Sequence, residues 1–226
     1  LRGRRATLVF SLSDVPEWVD TEQERAEWDA VRDALRTAGI DPSDLGRFVN
    51  RPNPDLRGLE PETFDATAAH PVLLEWLPRV RAANLKQTIA TRLAQGGRDG
   101  ETAVALLAEY RRSVDEILQW TLGDAISRVA TPAQYDEIVE LAARGGRGSQ
   151  MLVFMLWRIK TQRSHDVMLA AIRDPDVCVH AMSSLRRALG NREARSHIER
   201  LVDDASPHVR EVAAQTLKKI DKALSR

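Results

Sequence analysis

A turn followed by an apolar stripe recurs along this chain at intervals of about thirty residues, and that recurrence limits the folds open to it. The clearest copy lies near the C-terminus. The polar turn Asp203-Asp204-Ala205-Ser206-Pro207 leads into a segment with Val209, Ala213, Leu217 and Ile220. Steps of four, four and three place these side chains on one side of a helix. Upstream, Asp174-Pro175-Asp176-Val177 precedes Ala181, Leu185 and Ala188, and Gly148 precedes Leu152, Leu156 and Ile159. Leu118, Leu122, Ile126 and Val129 form another stripe, and Leu85, Ile89 and Leu93 the first. The units start at 85, 118, 148, 177 and 209, with steps of 33, 30, 29 and 32 residues. One such helix cannot shield its stripe from water alone, whereas stacked neighbours can.

Each unit has room for an earlier helix, expected at 66–77, 101–111, 133–143, 164–172 and 192–202. Breakers fall between the segments: Gly96-Gly97, Thr131-Pro132, Gly145-Gly146, Asp174-Pro175, Gly190 and Ser206-Pro207. Asp or Ser before Pro supplies an N-cap oxygen, with Pro where the amide would lack a helical partner. Residues 1–60 differ. A helix is expected over 21–38, with Asp20 or Thr21 as N-cap, Trp28, Val31 and Leu35 on one face, and Gly39 as its stop. The run 6–12 suits a strand or a packed arm, and Arg51-Pro52-Asn53-Pro54 suits neither helix nor central strand. We expect residues 1–60 to cap the row of pairs formed by 61–226, with a separate interaction element as the rival.

The pattern Asp-x-x-Pro-x-Val-Arg-x-x-Ala-x-x-x-Leu, at residues 204–217 with the preceding Asp203, resembles the HEAT-repeat signature, and 174–185 is a looser match with Cys178 in place of the Arg. The resemblance implies an all-α fold: a right-handed α-α superhelix, or α-solenoid, of about five HEAT-like helical pairs with an N-terminal cap. It implies a binding scaffold more readily than an enzyme, because such motifs specify architecture and not chemistry.

The 226 residues carry 33 basic and 33 acidic side chains, which argues against a polybasic arm or an acidic tail. A single Cys178 leaves no intramolecular disulfide or cysteine zinc cluster. No apolar run is long enough to span a membrane. The start at Leu1 lacks a secretory pattern, so a cytoplasmic location is expected. The histidines at 70, 165, 180, 197 and 208 stand apart in sequence, giving no metal motif and no expected cofactor. Cys178 is expected to be structural. The segment Arg144-Gly145-Gly146-Arg147-Gly148-Ser149 lacks the Gly-Lys-Ser/Thr ending of a phosphate loop and is expected to be a turn. Asp115-Glu116 and Asp136-Glu137 suit helix starts.

Charge is unevenly divided between the helices. The second helices of the five units sum to +7 and the first helices to −4. By the resemblance, second helices line a concave face, which would then be mildly basic and suited to an acidic protein segment, phosphate groups or nucleic acid. Arg128, Arg158, Arg187 and Lys219 fall in last turns, where the helix C-terminus alone stabilises a cation. Lys86, Arg147 and Arg210 lie near helix starts, where the dipole gives no such gain. Trp120 and Trp157 fall off the core stripe; they are either partner anchors or, if the register shifts, packing against the next unit. The candidate partner-binding residues are thus Lys86, Trp120, Arg147, Trp157, Arg158, Arg187 and Arg210. A protein partner is the first expectation. The alternative is nucleic acid, as in a bacterial family of glycosylases built from HEAT-like repeats that excise alkylated bases; no catalytic residue of that family carries over by motif, and Asp124 is a candidate acid only because it lies near Trp120.

Overall fold

The computed structural model describes residues 21–46, 64–96 and 99–225. Residues 1–20, including Trp18 and the run 6–12, lie outside the described residues, as does Arg51-Pro52-Asn53-Pro54.

All regular structure in the described residues is helical. Helix α1 spans Glu22–Thr37, α2 Ala66–Trp76, α3 Ala83–Leu93, α4 Gly100–Arg112, α5 Glu116–Val129 and α6 Tyr135–Ala142. It continues with α7 Gln150–Met155, α8 Gln162–Ala171, α9 Cys178–Leu189, α10 Asn191–Ile198 and α11 Pro207–Leu224. Tight 3-10 turns flank α7 at Arg147–Ser149 and Leu156–Arg158, and another extends α10.

Packing follows chain order. Helices α2 and α3, α4 and α5, α6 and α7, α8 and α9, and α10 and α11 pair, while α3, α5, α7, α9 and α11 also touch in succession. The stripes face these contacts. Leu85, Ile89, Leu122, Ile126, Leu152, Leu156, Ala181, Leu185, Val209, Ala213 and Ile220 are completely buried. Ala188 and Leu217, also on the stripes, are partly buried against the core. Gly123 lets α5 approach α7 closely, since a Cβ there would sit 3.2 Å from the Met151 Cβ.

Caps explain where most helices begin. Thr21 forms a reciprocal capping box with Glu24 on α1, and Asp65, Asp99 and Asp115 each accept two amides at the starts of α2, α4 and α5. Ser206 caps α11, with Pro207 first in the helix. Asp174 does not cap α9 in the expected way. Its side chain accepts the Asp176 amide at 2.9 Å to make a turn, and Val177 takes the N-cap position. Helix α3 has no cap of its own. Glu27 of α1 accepts the Arg81 and Ala82 amides at 2.8 and 2.9 Å, which ties α1 to the start of α3. Gly39, Gly145, Gly146 and Gly190 hold positive φ at the expected breaks.

Candidate functional site

The starts of the second helices α7, α9 and α11 surround an open depression of about 420 Å³. Arg147 enters from the turn before α7, Asp176, Val179 and His180 from the start of α9, and His208 from the first turn of α11. Gln150 closes part of the rim by donating to the Asp176 carbonyl at 2.6 Å. Val179 also borders a smaller groove of about 160 Å³ between α9 and α11, which Lys219 and Arg186 line.

The turn before α7 is shaped by contacts with both neighbouring pairs. Gly145 and Gly146 take the positive φ that ends α6, and the Gly146 amide lies 3.3 Å from the Asp174 carboxylate. Asp174 therefore occupies the amide that an anion would otherwise find there. Gly148 lies so close to Gln119 of α5 that a Cβ would fall 2.1 Å from its Oε1. This fixes the turn and leaves Arg147 on the surface.

The other candidate residues hold different positions. Lys86 is paired with the buried Glu109 of α4, whose other oxygen lies 2.7 Å from Arg112. Arg158 donates to the Ser127 carbonyl near the end of α5. Arg187 lies over the rings of Phe154 at 4.6 Å and Trp157 at 5.5 Å, so Trp157 is half-buried beneath a cation. Arg210 donates to the Asp204 and Ala205 carbonyls at 2.7 and 3.1 Å. Trp120 is 39% exposed on α5, near Ile117 at 70% and Val114 at 96%. Part of its ring therefore reaches the surface. Asp124 is paired with Arg128 at 2.7 Å. Only Arg147 and Trp120 among the candidates have side chains with no hydrogen bond, ion pair or ring contact to other described residues. His180 and His208, which the sequence places far apart, meet Arg147 at the depression. Their signal was present in the repeat frame, since both fall at second-helix starts.

His180 is packed edge-on to Phe154, with ring centroids 6.2 Å apart, and its Nδ1 is buried with no hydrogen-bond partner. Burial pushes its pKa below the ordinary 6.5. The folded state therefore favours the neutral ring, and the unfolded chain binds the extra proton first as pH falls. Stability is expected to decline below about pH 6.5, by at most one linked proton, until the folded ring also titrates. Denaturant midpoints measured across that range should decline less steeply in His180→Gln. An unchanged slope would contradict the assignment.

Two clusters contain residue types used in catalysis. His70 Nε2 lies 2.6 Å from the Thr102 hydroxyl, which donates to Asp99. That bond and the Thr102 amide, set against a smaller effect of burial, hold the Asp99 pKa below the usual carboxylate value. Thr102 is completely buried and its proton points to the acid, so the cluster joins α2 to the start of α4 and presents no nucleophile. Cys178 is likewise completely buried, and burial pushes its thiol pKa up. An aromatic disulfide reagent is expected to label it at the rate of unfolding; fast labelling of native protein would contradict this burial. Among the described residues, no group of three His, Cys, Asp or Glu side chains could hold a metal ion. No described helix is long and apolar enough to cross a membrane.

Compared with family models, with curated proteins and with solved structures, the chain matches none.

Proposed function

We propose that this chain is a non-catalytic binding scaffold: a right-handed α-solenoid of five HEAT-like helical pairs, capped by its N-terminal segment, that engages a protein partner along the second helices. The serial contact of α3, α5, α7, α9 and α11 supports the architecture, because each pair then meets mainly its neighbours. The single observation that carries the function is the open depression framed by three successive second helices, with Arg147 uncommitted at its edge. Trp120 and Arg147 are the leading contacts, since burying them would sacrifice no internal partner. Lys86, Trp157, Arg158, Arg187 and Arg210 contribute only with the parts of their side chains that internal contacts leave free.

Nucleic-acid binding is the weaker reading for the same reason. A phosphate-tracking groove needs several free cations, and four of the basic candidates are engaged inside the molecule. Affinity capture from extract should recover a protein with the wild-type chain and lose it with a Trp120→Ala, Arg147→Ala double variant. Prey retained in full by that variant would place the interface elsewhere. Binding of a random duplex at about 50 mM salt would favour nucleic acid instead.

A further inference from the structure

We propose that the depression among α7, α9 and α11 is the recognition site for a carboxylate side chain on an acidic, apolar-flanked segment of the partner protein. This inference rests on the scaffold reading and names the chemistry of its ligand. The guanidinium of Arg147 makes no ion pair or hydrogen bond with any described residue, and the same holds for the ring nitrogens of His208. His180 contributes a neutral ring on the same wall. The starts of α9 and α11 also border the depression, and neither helix carries an acidic residue in its first turn. The Cys178 amide is taken by the Asp174 carbonyl and the Val209 amide by Ser206, so the two helix ends add only the residual positive potential of their dipoles beside Arg147.

Asp176 is the opposing charge, and any anion must outweigh it through Arg147. It lies in the lining, just before α9. A phosphate group near neutrality carries close to two negative charges, and its desolvation cost rises faster than its attraction to the single permanent cation of Arg147. A carboxylate carries one charge and matches the planar fork of an Arg in two parallel hydrogen bonds. Val179, half exposed, and Pro175 supply an apolar wall beside these groups. A carboxylate with an aliphatic neighbour satisfies both parts of the lining. Because Val179 also borders the groove between α9 and α11, with Lys219 further along, such a segment can run on in that direction.

The test uses fluorescence anisotropy of the full chain with a short labelled peptide rich in Glu and Leu. Counterparts carry Gln, Lys or phosphoserine in place of Glu. The Glu peptide is expected to bind, and Arg147→Ala to weaken it by about 10- to 100-fold, the worth of one charge-assisted hydrogen bond. Arg147→Ala is an exposed change without internal partners and should unfold at the wild-type temperature. Asp176→Asn should tighten binding, and Arg200→Ala, at an exposed position on the turn after α10, should leave it unchanged. Equal binding of the Gln peptide, tighter binding of the Lys or phosphoserine peptide, or indifference to Arg147→Ala would overturn the proposal. A partner captured from extract while the Glu peptide fails would sink this inference alone, whereas failure to capture any partner counts against the scaffold reading.

Discussion

Replacing Glu109 by alanine is expected to destabilise the protein by about 3–5 kcal/mol, among the largest effects of any single substitution. The carboxylate is only 2% exposed, on α4, and faces Lys86 of α3, whose side chain is itself mostly covered. Arg112, one turn along α4, holds the other oxygen. Removing the acid leaves the Lys86 ammonium with no counter-charge in a site from which most water is excluded. The penalty reflects that stranded ion more than the strength of the pair. Lys86→Met with Glu109→Leu removes both charges and should recover most of the loss. Chemical denaturation of the two singles and the double measures this directly. A Glu109→Ala variant within about 1 kcal/mol of wild type would show that the pair is solvated. The outcome also bears on function, because a Lys86 held this firmly is a poor hot spot.

The second large effect is expected at Arg92, where methionine should cost about 3 kcal/mol or more. Arg92 is 2% exposed near the end of α3, and its guanidinium donates to the Leu45 carbonyl at 3.0 Å and to the Asp44 carbonyl. It also stacks 4.8 Å from the centre of the Phe64 ring. These contacts fasten the segment after α1 onto the first helical pair. Methionine fills much of the volume but takes the donor from the buried Leu45 carbonyl, at about 1–3 kcal/mol, and forfeits the bond to Asp44 and the stacking on Phe64 as well. Hydrogen exchange should then rise first around residues 40–46 and along α1, while α9 to α11 keep their protection. Uniform loss of protection would indicate that the N-terminal helix is integral to the whole core.

The apolar stripes could be seen in the sequence because burial imposes a helical period on α3, α5, α7, α9 and α11. Leu85, Leu122, Leu152, Leu185 and Val209 are completely buried, Gly145, Gly146 and Gly190 take positive φ at their breaks, and Pro207 opens α11, whereas Asp174-Pro175 makes a turn ahead of the Val177 cap. What escaped notice depends on partners distant in sequence. Glu27 caps α3 from 54 and 55 residues away, and nothing local to Ala82 signals it. Nothing local to Glu109 signals its pairing with Lys86, which depends on how α3 meets α4. Arg158 and Arg187 stood in last turns as expected, yet one bonds a carbonyl of the preceding second helix and the other stacks on two rings. Arg147 was identifiable because the helix dipole gave no reason for a cation there. The convergence of His180 and His208 on it required the succession of α7, α9 and α11 in space.

That succession is the claim on which the proposed scaffold depends, and truncation tests it most directly. The chain ending at Gly190 lacks α10 and α11, and its amide hydrogen exchange can be compared segment by segment with that of the full chain. Packing in a row predicts that α2 to α5 keep their protection while α8 and α9, newly uncovered, lose theirs. Loss of protection throughout residues 66–129 would contradict the row and identify a single closed core instead.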